Sequence, residues 1–173
     1  MFKNFFLILF FLVSSINCLK AQEKVSYIDI DYILNSSVAG KLLLNKLKED
    51  EDLKINSFKL KDEDFKKKEN KLLAKKNLIS KEEINKELKS LQTEFNEYRN
   101  DKIKQFDELK AKRNRNILNF LNLLNPIIEK YMSDNSIYML IDKKNVFIAN
   151  KDYDITNNII ELINNQIKNI EVK

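Results

Sequence analysis

The chain has 173 residues, a formal net charge of +5 at pH 7 and 33% charged residues, but only one glycine, one proline, one cysteine and no histidine. The absence of histidine excludes Ser-His-Asp and Cys-His catalysis and zinc sites built on His and Cys. One glycine cannot form a dinucleotide fingerprint or a phosphate loop, and a chain with so little Gly and Pro must consist of few, long elements. We therefore expect one mostly helical domain that is not an enzyme and has no catalytic residues, no cofactor and no metal.

The N-terminal residues are typical of a secretory leader. The apolar block Phe5–Val13 follows a basic start and is too short for a membrane-spanning helix, which needs about 20 apolar residues. We expect a signal peptide over residues 1–21, cleaved after Ala21, and a mature domain over residues 22–173. Cleavage would remove two lysines and no acid, lowering the net charge from +5 to +3. Lipid attachment at Cys18 is the less favoured alternative.

The mature chain begins with a pattern that changes from strand to helix. Residues 24–30 alternate and predict a short strand, whereas from about Asp31 the apolar residues recur at three and four and predict a helix to about Lys76. Asp29 and Asp31 would share one face of the strand, where two carboxylates could transfer protons or bind a cation. Because no nucleophile or histidine accompanies them, we favour a structural interpretation as strand-end and helix-cap residues.

The helical region is predicted to turn back on itself as a hairpin arm, residues 44–113. Ser80 and Glu83 form a capping-box pattern that starts a new helix, and Asn77 can end the preceding one. The tip should therefore lie near residues 77–80. Each helix of the arm would extend roughly 60 Å at about 1.5 Å per residue.

An incomplete apolar seam follows the arm. One heptad position of the outgoing helix is mostly apolar, but its companion positions Lys54, Lys61 and Lys68 are basic, so the pattern falls short of a good coiled coil. We interpret the seam first as the contact between the two helices, and second as an apolar surface that a partner could use. The residues predicted for that surface are Phe58, Phe65, Leu72, Ile79, Ile84, Leu88, Leu91 and Phe95.

Six lysines near the tip suggest a second feature, the basic tip: Lys66, Lys67, Lys68, Lys71, Lys75 and Lys76. Most such runs are solvated helix faces, and the functional alternative is a weak, salt-sensitive attraction to acidic partners or to an anionic membrane surface. Nucleic acid is an unlikely partner, because the aromatic and arginine side chains that favour it are few near these lysines.

The C-terminal region predicts a β-hairpin followed by a helix. Residues 136–142 and 146–150 have strand patterns separated by a short turn, and Asp154 is a suitable N-cap for an amphipathic helix that runs to about Ile167. We expect Pro126, upstream of these strands, to kink the return helix or to start a new segment.

Together the chain ends would form a small β body, residues 22–43 and 114–173, from which the arm projects. The predicted fold class is α+β, mostly α. A small core and exposed sheet edges favour an oligomer.

Two segments resemble the Skp/OmpH family of periplasmic chaperones: YIDIDYILNSSVAGK, residues 27–41, and YMLIDKKNVFIANKDYDITNNIIELIN, residues 138–164. The resemblance implies a jellyfish-like homotrimer with a shared β body and three helical arms around a cavity. It also implies an ATP-independent periplasmic holdase that keeps unfolded outer-membrane proteins from aggregating before membrane insertion. A lipopolysaccharide site proposed within the family cannot be carried over to this sequence, because no motif aligns with it. We expect a close subunit contact at Gly40, within the first segment.

Two alternatives remain open at this point. The chain could be a structural coiled-coil spacer of the cell envelope that binds no client. The lysines of the basic tip would instead favour a binder of nucleic acid or another polyanion.

Overall fold

The structure, a computed structural model, describes residues 24–76, 78–167 and 169. The predictions for the leader, for Cys18 and for Asn77 lie outside the described residues. The elements follow in the order β1 (Lys24–Ile28), α1 (Ile30–Ser36), α2 (Val38–Lys75), α3 (Lys81–Asp134), β2 (Ile137–Asp142) and α4 (Thr156–Gln166), with 3-10 turns at Lys143–Asn145 and Lys151–Tyr153. The predicted α+β, mostly α fold with a small sheet and a long helical hairpin is confirmed.

The sheet joins the two ends of the chain. β1 and β2 pair in parallel, with Ser26 opposite Leu140 and Tyr27 opposite Ile141. Parallel strands require a long crossover, and here the crossover contains the whole hairpin of α2 and α3. One hydrophobic core lies at this end of the molecule, and its buried members are Ile28, Ile33, Leu34, Ala39, Leu43, Leu47, Phe120, Leu124, Ile127, Ile137, Ile155, Ile159 and Ile163.

An elbow at Ser37 interrupts the first helical region, so the prediction of one continuous helix to Lys76 is wrong. α1 ends at Ser36, and the extended Ser37 caps α2 by accepting a hydrogen bond from the N–H of Gly40. A Cβ atom on Gly40 would overlap the carbonyl oxygen of Leu34. Only glycine permits this approach of α2 to α1, and the close contact is made within the chain.

The tip of the hairpin lies where the capping pattern predicts it. α2 ends at Lys75, α3 begins at Lys81, and the Ser80 hydroxyl accepts a hydrogen bond from the N–H of Glu83 at 3.2 Å. Pro126 does not start a new segment, because α3 continues through it to Asp134. The neighbouring Leu124 and Ile127 are buried in the core, and this packing holds the helix across the missing N–H.

The predicted β-hairpin near the C-terminus is wrong, since only its first strand forms. Asp142 ends β2 by accepting a hydrogen bond from the N–H of Lys144, which starts a 3-10 turn, and residues 146–150 are irregular. The last helix forms as predicted but begins at Thr156. The Asp154 carboxylate still accepts a hydrogen bond from the first helical N–H, that of Thr156, at 3.0 Å.

Candidate functional site

The two aspartates of the opening strand do not form a pair. Asp29 follows β1 and caps α1, because its Oδ1 accepts a hydrogen bond from the N–H of Tyr32 at 2.8 Å. Its Oδ2 accepts a hydrogen bond from the ammonium group of Lys143 at 3.0 Å. These hydrogen bonds, led by that from Tyr32, lower the pKa of the Asp29 carboxyl. Asp31 lies in the first turn of α1, so the expectation of a shared strand face is wrong and the structural interpretation explains both positions.

The eight apolar residues predicted on the arm divide by exposure. Phe58, Phe65, Leu72 and Ile84 are buried, and Ile79 and Leu91 are half-buried. Only Leu88 and Phe95 expose much of their side chains, 45% and 44% respectively. The buried members therefore hold the hairpin together, and the exposed pair is available to a partner.

Aromatic rings occupy the middle of the seam, which we call the aromatic cluster: Phe58, Phe65, Phe95, Tyr98 and Phe106. Phe58 meets Phe106 at a centroid distance of 5.0 Å, and Phe65 stacks on Tyr98 at 5.1 Å. Phe65 also meets Phe95 edge to face at 5.4 Å and 82°. These contacts between α2 and α3 stabilise the arm far from the body core, each by about 0.5–1.5 kcal/mol beyond area burial.

A set of hydrogen bonds, which we call the polar clasp, joins Asp62 of α2 to Tyr98 and Lys102 of α3 beside these rings. The hydroxyl of Tyr98 lies 2.7 Å from Asp62 Oδ1 and 3.1 Å from the carbonyl oxygen of Phe58, and Lys102 donates to Asp62 Oδ2 at 2.7 Å. The hydrogen bonds from Lys102 and Tyr98 lower the pKa of the Asp62 carboxyl. Burial, together with the hydrogen bond to Asp62, raises the pKa of the Tyr98 hydroxyl. Because these bonds join specific atoms, the clasp fixes the register of α2 against α3.

A lysine row, Lys54, Lys61, Lys68 and Lys75, follows one face of the arm at seven-residue spacing. The first three ammonium groups lie over aromatic rings: Lys54 over Phe58 at 5.9 Å, Lys61 over Tyr98 at 5.3 Å and Lys68 over Phe65 at 5.2 Å. Lys68 and Lys75 also pair with acids of α3, Glu94 at 2.6 Å and Glu87 at 3.9 Å. The basic heptad positions that weakened the coiled-coil pattern thus cover the seam on this face.

The opposite face of the arm is open. A groove of about 670 Å³, which we call the open groove, is lined by Asp62, Phe65, Lys66, Glu69, Leu88, Leu91, Gln92 and Phe95. Four of these residues are members of the predicted apolar surface, and the structure brings them together. A helix has 3.6 residues per turn, so Lys66 on the rim lies about 140° around α2 from Lys61 of the lysine row. The rim of the open groove on α2 is therefore turned away from the lysine row.

An exposed apolar stripe extends the open groove toward the body. Leu88, Phe95, Ile103 and Phe106 recur along α3 at spacings that keep them near one side of the helix, and each exposes more than two fifths of its side chain. These four residues therefore leave apolar area in solvent along α3.

The six lysines of the basic tip are distributed around α2. Lys68 and Lys75 contribute to the lysine row through their acidic partners, whereas Lys66 lines the open groove. The hydrogen bond to Glu94 raises the pKa of the Lys68 ammonium. The six therefore do not form one patch: Lys68, Lys71 and Lys75 line one surface beside Glu87 and Glu94 of α3, whereas Lys66 lies on the open groove.

Sequence reasoning missed the polar clasp and the bridging ion pairs. Their signal is a mirror symmetry about the tip: the pairs 75–87, 68–94, 62–102 and 50–112 join residues at nearly equal distances on either side of it. An antiparallel hairpin with a known tip would have predicted these opposite-charge partners.

These features define a class of protein: a small body made from both chain ends and carrying one long antiparallel helical arm. The family model described as "Outer membrane protein (OmpH-like)" matches residues 24–163. The chain therefore belongs to the OmpH-like outer membrane protein family, which confirms the resemblance carried by the two end segments.

Comparison with curated proteins gave no match. Among solved structures, the chain is similar to a crystal structure titled "putative outer membrane chaperone (OmpH-like)" from Caulobacter crescentus CB15. The TM-score is 0.78 and the identity 20%, covering 85% of this chain and 87% of that chain, so the two share a fold. In the described part of the chain, no helix combines the length and the apolarity needed to cross a membrane.

Proposed function

We propose that this protein is an ATP-independent holdase chaperone of the periplasm, which binds unfolded outer-membrane proteins between helical arms and prevents their aggregation before insertion. Membership of the OmpH-like family and a fold shared with a protein titled a putative outer membrane chaperone support the proposal. The clients would reach the arm, residues 44–113, through its exposed apolar side chains.

The observation that carries the proposal is the arm itself, which is held together by buried rings and polar contacts and still leaves apolar groups in solvent. The buried rings of the aromatic cluster and the polar clasp hold α2 against α3, while Leu88 and Phe95 stay 45% and 44% exposed. Each exposed side chain offers a weak apolar contact, and many weak contacts retain an unfolded chain while allowing its release without ATP.

We further propose that the body is shared by three copies. Several apolar side chains of the body are exposed in the single chain: Val25, Tyr138, Met139, Phe147, Ile148 and Tyr153. A two-stranded sheet is marginally stable alone, and β2 presents an edge that another copy can cover. The irregular residues 146–150 would then lie at a subunit contact.

Suppression of aggregation tests the function. An unfolded β-barrel outer-membrane protein is diluted from urea in the presence of the mature protein, and light scattering is followed over time. We expect scattering to be suppressed. A protein that leaves aggregation unchanged would contradict the proposal and favour the structural spacer.

An arm-deletion variant locates the activity. Removing residues 62–102 and joining the helices by a short Gly/Ser loop keeps the Phe58–Phe106 contact and the Asp50–Lys112 ion pair, which is 2.7 Å long. The shortened protein should still assemble but should no longer suppress aggregation. Retained suppression would show that clients bind elsewhere.

Light scattering of the purified protein tests the assembly. We expect the mass of a trimer, and a shift to monomer when Phe147 and Ile148, both exposed, are replaced together by serine. The matched control replaces two exposed leucines of the arm, Leu53 and Leu60, by serine and should leave the trimer intact. A monomeric wild-type protein would contradict the proposed architecture.

A further inference from the structure

The two faces of the distal arm differ in what they offer to a bound chain. On one face, the lysine row places ammonium groups over the rings of Phe58, Phe65 and Tyr98. A client chain on that face would have to displace these cations and their acidic partners. On the other face, the open groove has an apolar floor in which Leu88 and Phe95 are exposed, Leu91 is half-buried and Phe65 is buried.

The rim of the open groove is polar and carries one free charge of each sign. Lys66 offers donors, Glu69 offers acceptors and Gln92 offers both, whereas Asp62 is already held by Tyr98 and Lys102. An extended polypeptide has unpaired N–H and C=O groups that match this mixture. The rim therefore suits a peptide backbone and does not select an occupant by net charge.

The floor suits aromatic side chains. Phe95 meets the buried Phe65 edge to face and is itself 44% exposed, so a further ring can pack against its exposed part, and Lys66 lies on the rim of the groove. A volume of about 670 Å³ accommodates a few side chains of this size.

We infer that the open groove is a subsite for phenylalanine and tyrosine side chains of an extended client segment, and that this face, not the lysine row, is the client-binding face of the arm. The inference rests on the proposed holdase function and specifies which residues of a client the arm prefers.

Peptide binding tests the preference. Three synthetic peptides of equal length and zero net charge carry phenylalanine, leucine or serine at alternate positions, and their binding to the full mature protein is measured by fluorescence anisotropy. An aromatic contact contributes about 0.5–1.5 kcal/mol beyond area burial, so the phenylalanine peptide should bind about twofold to twelvefold more tightly than the leucine peptide. Equal affinity for these two peptides would overturn the aromatic preference.

A matched pair of variants locates the subsite. Leu88→Ser with Phe95→Ser should remove most of the preference for phenylalanine. Leu53→Ser with Leu60→Ser, at positions 64% and 68% exposed on the outer side of α2, should keep it. Far-UV circular dichroism verifies that both variants remain helical. A groove variant that is helical and binds as wild type would contradict the inference.

Photo-crosslinking gives a second measurement that leaves the apolar floor of the open groove intact. A benzophenone side chain is placed at Gln92, on the rim of the open groove, or at Ser90, about 200° away on the same helix. We expect cross-links to the phenylalanine peptide from position 92 and few from position 90, and the reverse result would overturn the inference.

Aggregation suppression measured in parallel separates the two proposals. Suppression without an aromatic preference would retain the holdase and reject the subsite. Groove-dependent aromatic binding without suppression would retain the subsite and reject the holdase.

Discussion

Replacement of Tyr98 by phenylalanine removes one atom from the polar clasp and leaves the ring in the aromatic cluster. The lost hydroxyl has a single proton, shared between Asp62 Oδ1 at 2.7 Å and the carbonyl oxygen of Phe58 at 3.1 Å. A hydrogen bond to a charged group contributes about 1.5–3 kcal/mol when its acceptor is otherwise unsatisfied. The Asp62 side chain is 47% exposed and keeps its bond to Lys102, so we expect a loss of only about 1–1.5 kcal/mol.

Urea unfolding followed by far-UV circular dichroism, at one fixed protein concentration, measures this loss in the free energy of unfolding. Amide hydrogen exchange locates it, because amides of α2 around Phe58 should exchange about five to ten times faster. The control is Tyr32→Phe, at a half-exposed position of α1, which should change stability by less than about 0.5 kcal/mol.

The reasoning would be refuted if Tyr98→Phe unfolded at the same urea concentration as wild type, or if the faster exchange appeared in the body and not in the arm. Either outcome would mean that the clasp does not fix the two helices against each other.

Three further predictions concern the clasp, the elbow and the opening aspartate. The pKa of the Asp62 carboxyl is lowered in the folded state. Its contribution to stability is therefore complete above the unfolded pKa of about 3.9 and is lost as the pH falls through the folded pKa. Below about pH 5, the free energy of unfolding should fall more steeply in wild type than in Asp62→Asn. Parallel slopes in urea titrations would contradict this, and Asp29, whose pKa is also lowered, is unchanged in the comparison. Gly40→Ala should destabilise the body by about 2–3 kcal/mol, because the new Cβ would overlap the carbonyl oxygen of Leu34. Lys41→Ala, at the exposed neighbouring position, serves as the control. Equal thermal midpoints for Gly40→Ala and wild type would argue against the elbow. Asp29→Ala should cost about 0.5–2 kcal/mol in urea unfolding through the lost cap, and Asp29→Asn should recover most of it, since asparagine also caps helices. An asparagine variant as unstable as the alanine variant would show that the ion pair with Lys143 matters more than the cap.

Much of the fold is predictable because its signals are local. The Ser80 cap places the tip, the alternating residues before Asp29 predict β1, and the amphipathic spacing after Asp154 predicts α4. Each of these signals depends on residues within one or two turns of each other. These three features could therefore be derived without knowledge of the tertiary contacts.

The elbow and the missing third strand could not be predicted in this way, because distant residues decide both. The N–H of Val38, left free where α1 stops, is satisfied by the side chain of Asn164, 126 residues away. Residues 146–150 have the composition of a strand, but strand preference is realised only against a neighbouring strand, and none pairs with them within the described part of the chain.

The candidate site was predicted in composition but not in role. The eight apolar residues of the arm were identified from their spacing, whereas their division into buried and exposed members depends on which side of each helix faces the other. The lysines at the companion positions were interpreted as defects of a coiled coil. Ring contacts at 5.2–5.9 Å show that they cover the seam, a role that heptad patterns do not encode.

The mirror symmetry of contacts about the tip has a consequence for folding. The bridging contacts Lys68–Glu94, Asp62–Lys102, Asp50–Lys112 and Asp29–Lys143 span 26, 40, 62 and 114 residues, each enclosing the one before. Once an inner contact exists, the next closes only the short additional loop between them, which costs little entropy. We expect the hairpin to close like a zipper from its tip, with the parallel sheet forming last.

In stopped-flow experiments, Ser80→Ala should then mainly slow folding and Ile159→Val should mainly accelerate unfolding, and the opposite assignment would exclude a zipper. A chain exported from its N-terminus would hold β1 without a partner until β2 emerged more than 100 residues later, so the last part of the chain to arrive completes the body.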